Sequence, residues 1–241
     1  MLGFNTSKCN MMHLGKNNPQ YEYTMSDGDQ LQTLNTTHCE KDLGVHVDTL
    51  LNFEDHITYT IKKARGVSGL IFRTMSCRDK EVLLPLYKAL VRPNVEYANP
   101  VWSPYLIKDI DRIERVQRQY TKRINGLHKL SYSERLKILD LPSLKFRRKR
   151  GDMIECYKLT HNIHDPLTTK SLIQFDNREI TRAHPFKLKK PRFNTTKYQH
   201  FFTNRIVNPW NNLPGDIVRA ENLNSFKNNL DKFWGDKKLC Y

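Results

Sequence analysis

A chain of 241 residues with 38% hydrophobic side chains and three tryptophans has the means to bury a core, which excludes a disordered polymer. Forty Lys and Arg against 25 Asp and Glu leave a formal charge of +15, unevenly placed: residues 1–50 hold 3 basic and 6 acidic side chains, whereas residues 101–150 hold 14 and 5. So localised a positive field favours a polyanion as partner, nucleic acid first, over the alternative of a generally basic solvated surface.

In chain order, "FNTSKCNMMHLG" (4–15) reads as a polar turn followed by a half-buried strand. "YEYTM" (21–25) alternates like a strand, "SDGD" (26–29) has turn chemistry, and "QLQTLNTT" (30–37) is the return strand. "LGVHV" (43–47) is a third short strand, with Gly44 marking a close backbone approach or a bulge. From Asn52, a helix N-cap with Asp55 in the first turn, the period becomes helical, and Ile57, Ile61, Ala64, Val67, Ile71 and Met75 recur at three- and four-residue steps. A second helix starts near Asp79 and ends at "RP" (92–93), with Pro85 in its first turns or kinking it; Pro93 opens a further short helix to Ala98. "NPVWSPY" (99–105) is a rigid loop holding Trp102.

The pattern over 106–124 is the clearest helix of the chain. Ile110, Ile113, Val116, Tyr120 and Ile124 form one stripe, and Lys108, Arg112, Arg115, Arg118, Lys122 and Arg123 fall opposite. "SYSE" (131–134) is a capping box opening a short helix, and Ser143 caps another to about Leu159 that carries "KFRRKR" (145–150). Residues 165–200 read as loop, with "FKLKKPRF" (186–193) extended and basic; after "NPWNNLP" (208–214) a last amphipathic helix shows Leu223, Phe226, Leu230 and Phe233.

Five scattered cysteines (Cys9, Cys39, Cys77, Cys156, Cys240) without a C-x-x-C pair suit a reducing, intracellular compartment, nucleus or cytoplasm. No secretory pattern opens the sequence, and the most apolar run, "VLLPLYKALV", is broken by Pro85 and Lys88 and too short to span a bilayer, so no membrane partner is expected.

Chemistry-bearing motifs are sparse. His161 and His164 stand near Cys156, but a structural zinc needs four ligands and no second pair accompanies them. There is no G-x-S-x-G, P-loop or H-E-x-x-H motif, and the acid pairs Asp27/Asp29 and Asp109/Asp111 read as turn composition and as neutralisers of nearby cations. The informative side chains are cations. On 106–124 a basic face backs an apolar one, which suits phosphate contact while the helix packs on its fold. "KFRRKR" adds Lys145, Arg147, Arg148, Lys149 and Arg150, readable also as an import signal or a solvated face. Trp102, Tyr105 and Tyr120 stand either for base-stacking platforms or for core, the core reading being favoured for Tyr120.

The ordered blocks "FNTSKCNMMHLGK", "EKDLGVHVD", "LLPLYKALVRPNVEYANPVWSPY", "DIDRIERVQRQYTKRI", "LSYSERLKILDLPSLKFRRKRGDMIECYK" and "NPWNNLP" together resemble the C-terminal part of the reverse transcriptase of animal non-LTR (LINE-type) retrotransposons, over nearly the whole chain. The resemblance implies an α+β, mainly α chain: a short antiparallel palm remnant at 1–50, a helical thumb-like domain at 51–164 and a C-terminal extension at 165–241. Lys8 matches a palm lysine thought to assist the leaving pyrophosphate, and Leu43 and Gly44 match the primer-grip hairpin. The chain beyond that hairpin looks like the part that holds template and primer, RNA or DNA, with Lys62, Lys63, Arg65 and Trp102 among the expected contacts beside the cations of 108–123 and 145–150.

The family polymerises with two Mg²⁺ ions held by aspartates of an F/Y-x-D strand and a Y-x-D-D turn, and this sequence contains no D-D dipeptide. Nor does it show the endonuclease such elements commonly carry. The expectation is therefore a truncated element copy or internally started reading frame that binds primer–template without DNA synthesis and without its own cofactor. The competing readings are a helical scaffold whose basic faces meet acidic proteins, and a relic without selected function.

Overall fold

The computed structural model describes residues 5–27, 30–176 and 184–235. The chain is mainly helical with a few short strands, an α+β arrangement as the sequence implies. It forms two compact units, residues 1–59 and 60–241, with the boundary inside a helix.

The first unit holds β1 (Asn10–Met11), β2 (Thr24–Asp27), β3 (Gln30–Thr33), β4 (Asn35–Thr36), β5 (Cys39–Asp42) and β6 (Val45–Asp48). They pair two by two. β2 and β3 run antiparallel with Thr24 opposite Thr33, and β5 and β6 run antiparallel with Cys39 opposite Asp48. β1 and β4 pair in parallel, Asn10 opposite Asn35, which departs from the all-antiparallel expectation. The strand foreseen from Tyr21 begins only at Thr24, and residues 28–29 of the "SDGD" turn lie outside the described residues. Leu43 and Gly44 are not strand: they close the β5–β6 hairpin with φ +44° and +88°. Two successive left-handed residues make the two-residue turn whose twist matches its flanking strands, so Gly44 serves the turn and not a bulge.

Entry into α1 (Glu54–Thr74) is governed by Asp48 rather than by a cap at Asn52. The Asp48 carboxylate accepts from the backbone N–H of Leu50 (3.0 Å), Asn52 (3.1 Å) and Phe53 (2.6 Å). Within this unit His56 is buried, its Nδ1 accepting from the His46 N–H at 3.3 Å, and the His46 ring lies 4.8 Å from that of Tyr59.

The second unit continues α1 and adds α2 (Lys80–Leu86), α3 (Asn99–Trp102), α4 (Ile107–Thr121), α5 (Tyr132–Ile138), α6 (Leu144–Thr160), α7 (Pro166–Leu172), α8 (Thr196–Gln199), α9 (Phe202–Arg205), α10 (Val207–Asn211), α11 (Gly215–Val218) and α12 (Leu223–Trp234). The second helix widens into a π turn (Tyr87–Val91) downstream of Pro85, which has no N–H to give the helix ladder, and gives way at "RP" to a 3₁₀ turn (Arg92–Val95) with Pro93 at its start, shorter than the helix to Ala98 foreseen there. The "NPVWSPY" loop contains the helical turn α3, and the loop foreseen over 165–200 contains α7 and α8. Asp165 caps α7, accepting from the Thr168 N–H at 3.0 Å, with Pro166 at the first helical position where its missing N–H is harmless. The stretch 186–193 is extended where Leu188 bridges Phe175.

Two aromatic-lined cores organise this unit. Tyr120 of α4 lies 4.8 Å from Phe72 and 5.0 Å from Tyr87, and its hydroxyl donates to the Leu83 carbonyl at 2.8 Å, which places it in the core. The other core joins Met153, Cys156 and Tyr157 of α6 to Trp210 of α10 and to Phe226, Leu230 and Trp234 of α12. Residues from Ile173 to Trp234 thus contribute to one core with α6. On α12 it is Trp234, not Phe233, that turns inward; Phe233 is exposed, the three- and four-residue steps being equally compatible with the pattern.

Candidate nucleic-acid interface

α4 forms because its apolar and cationic residues separate at helical spacing, and the capping box of α5, with Ser131 and Glu134 exchanging hydrogen bonds, fixes the next turn. Its buried face is broader than the apolar stripe and includes Asp109, Glu114, Gln117 and Thr121. Glu114 accepts from the Tyr132 hydroxyl and from the backbone N–H groups of Leu144 and Lys145, both at 3.1 Å. Gln117 accepts from the Tyr87 hydroxyl at 2.6 Å and donates to the Tyr132 hydroxyl and the Pro142 carbonyl, each at 3.0 Å. Burial together with Glu114 pushes the Tyr132 hydroxyl far above the usual tyrosine range. Buried Arg135 donates to the Arg118 carbonyl at 2.7 Å, closing the last turn of α4. This network fixes α4, α5 and the start of α6 as one platform. Only the interruption of the apolar period by Glu114 and Gln117 marks it in the sequence.

The predicted cations divide by environment. Lys62, Lys63 and Arg65 are exposed on α1. On or just past α4, Lys108, Arg115 and Lys122 are exposed at seven-residue steps, on one line of the helix. Arg112 is half-buried and pairs with Asp109 at 2.9 Å. Arg118 lies over the Tyr132 ring (5.1 Å), and exposed Arg123 lies over Phe72 (4.7 Å). In the first unit Lys8 and Leu43 are exposed and Gly44 half-buried at the hairpin tip.

"KFRRKR" is not a run of five solvated cations. On one helix, consecutive residues point around the axis, so only Lys145 and Lys149 share the exposed side of α6, four residues apart. Arg147 forks onto Glu96 and Arg150 onto Asp231, the latter at 2.6 and 2.8 Å. Arg148 points inward with 5% exposure; burial lowers its affinity for the proton, partly offset by Glu114, Asp152 and Glu96, and its Nη1 and Nη2 have no protein hydrogen-bond partner. Arg148 is accordingly withdrawn from the phosphate contacts. So is Trp102, 1% exposed with its indole N–H donating to the Tyr97 carbonyl at 2.7 Å, because a base needs an open ring face. Tyr105 is engaged too, stacked on His200 at 4.6 Å.

No group of three or more His, Cys, Asp or Glu side chains among the described residues is placed to hold a metal ion. His161 stacks on Tyr157 at 3.9 Å and His164 reaches Glu155 at 2.6 Å, both engaged within the fold. Among the described residues no helix is long and apolar enough to cross a membrane.

No family model matches the chain, and no solved structure does. It is similar to an uncharacterized protein of Caenorhabditis elegans, 26% identical over 125 residues that make up 51% of this chain and 61% of the other. The chain thus matches less than two thirds of that protein's length.

Proposed function

We propose that this chain binds nucleic acid through the phosphate backbone, in the manner of the thumb and following region of a non-LTR retrotransposon reverse transcriptase, without synthesising DNA itself. The observation that carries the reading is the line Lys108–Arg115–Lys122. Seven residues of helix rise about 10.5 Å, so the three exposed cations are spread over roughly 21 Å along one side of the helix, long enough to face the phosphate backbone of a nucleic-acid strand at more than one point. The α4 platform behind them is held by buried polar groups, which keeps the spacing. Ordered sequence blocks support the family reading, and the missing D-D dipeptide supports leaving polymerisation out of it.

Fluorescence anisotropy with a labelled primer–template duplex tests this. Binding is expected to weaken with salt at a log–log slope of about −0.7 to −0.9 per phosphate contact, whatever the base sequence. K108E/R115E/K122E is expected to weaken it and flatten the slope by two to three contacts' worth. A salt-independent affinity would overturn the nucleic-acid reading. Primer extension with Mg²⁺ or Mn²⁺ is expected to be nil, and synthesis by the purified chain would overturn that part of the proposal.

A further inference from the structure

A second feature lies apart from the α4 line. The end of α7, the bridged segments around Phe175 and Leu188, and the α8–α9 turn enclose a cleft of about 270 Å³. Buried Ile173 and Leu188 form its apolar floor. Tyr198 and Phe201 line it while 46% and 43% exposed, and Gln174 and Lys189 add polar groups. The volume is below that of a drug-sized pocket, the scale of one planar ring system. The Tyr198 and Phe201 rings stand 6.5 Å apart between centroids, tilted by 31°. That separation is close to twice the roughly 3.4 Å spacing of stacked bases. Around the cleft, residues 187–205 carry no acid and, apart from Arg205, which pairs with Asp152, five cations, with Lys189, Lys190 and Arg192 exposed.

We infer that this cleft receives an unpaired base of single-stranded nucleic acid, held between Tyr198 and Phe201, while Lys189, Lys190 and Arg192 meet the flanking phosphates. The inference rests on the nucleic-acid reading above and adds to it a site for the base itself. An apolar slot flanked by aromatic faces and cations, with few polar groups to specify an edge, takes any base by stacking. A hydrophobic side chain of an acidic peptide is the competing occupant. The uniform cation run and the ring separation favour the flat, regularly charged ligand.

The test uses the full chain and two labelled 12-nucleotide strands, oligo(dT) and an abasic strand with the same phosphates. The wild type is expected to bind oligo(dT) about tenfold more tightly than the abasic strand, the size of one aromatic stacking contact. Y198A/F201A is expected to abolish that ratio and leave the abasic affinity unchanged. Y198L/F201L, which keeps apolar bulk without a π face, is expected to do the same and serves if the alanine variant is misfolded by circular dichroism. A wild type that binds neither strand overturns the base site, and one that also fails to bind the primer–template duplex defeats the nucleic-acid reading as a whole. Equal affinity for both strands, or a ratio that survives both variants, overturns the base site alone. Displacement of oligo(dT) by a Glu-rich peptide containing Phe, and not by the same peptide with Ala in its place, assigns the cleft to protein and also overturns it.

Discussion

Replacing Glu114 by alanine isolates what holds α6 in place. Its carboxylate satisfies the N–H groups of Leu144 and Lys145, the first two of the helix, while the Ser143 side chain takes that of Phe146 at 3.1 Å and the Ser143 carbonyl that of Arg147 at 3.0 Å. Arg147 already makes the first bond of the helix ladder, so the open donors of Leu144, Lys145 and Phe146 are all met, two of them by one side chain from α4. Glu114→Ala orphans the fully buried Leu144 donor, the partly buried Lys145 donor and the Tyr132 hydroxyl hydrogen. At about 1–3 kcal/mol for a buried group and less for the partly wet one, the loss is about 3–4 kcal/mol, a large share of the ~5–15 kcal/mol that holds a typical domain. Urea unfolding followed by tryptophan fluorescence is the assay, since Trp102, Trp210 and Trp234 are all buried in the second unit. With a slope of about 2 kcal/mol per molar urea, the midpoint is expected to fall by about 1.5–2 M. Glu114→Gln keeps one acceptor and the side-chain shape, and is expected to lose roughly half as much. A Glu114→Ala midpoint within about 0.3 M of wild type would refute the account of α6 as capped from α4.

Three further outcomes are expected. Arg148→Met, which replaces a buried guanidinium having unpartnered nitrogens by an apolar chain of similar reach, should raise the same urea midpoint by about 0.5–1 M, equivalent to about 1–2 kcal/mol; a lower midpoint would mean that Arg148 is better paired than its geometry shows. Burial first, then His46, holds the His56 imidazole down to about 4. Because the folded value lies below the unfolded 6.5, the unfolded state takes the proton first, and the first unit should lose up to about 3 kcal/mol as pH falls from 6.5 through 4. Amide hydrogen exchange in β5 and β6 reads this, and a protection independent of pH in that range, after correction for intrinsic exchange, would contradict it. Arg205 forks onto Asp152 at 2.9 and 2.8 Å and donates to the Pro100 carbonyl at 3.0 Å. Arg205→Lys cannot reproduce that fork and should cost about 2–3 kcal/mol in thermal or urea unfolding, with a near-neutral result excluding the pair as an anchor of α9 on α6.

What the sequence made legible was local. α4, the Ser131–Glu134 capping box of α5 and the Ser143 cap of α6 rest on signals within a few residues, and they stand where the spacing puts them. Features set by distant partners were not legible. The parallel pairing of β1 with β4 joins residues 25 apart in the chain, and the inward turn of Trp102 depends on the carbonyl of Tyr97 and on neighbours in space. The basic run 145–150 misleads for a geometric reason, because a helix sends consecutive cations to different faces. α7 escapes a linear reading although Asp165–Pro166 is a helix start, its seven residues offering too little periodicity to outweigh the surrounding loop composition. The cleft beside Tyr198 shows in the sequence only as an extended, basic strand, since its walls come from three segments.

The seat of α12 on α6 sets an order of events in time. Tyr157 donates to the Ala220 carbonyl at 2.6 Å and stacks on Phe226 at 4.4 Å, and Arg150 forks onto Asp231, contacts spanning 63 to 81 residues of chain. At a synthesis rate of about 5–20 residues per second, α6 leaves the ribosome roughly 4–15 s before α12 can cover it. For that interval Met153, Cys156 and Tyr157 face water or whatever apolar surface arrives first. Translation speed and chaperone supply over those seconds therefore bear on how much of this chain reaches its folded state.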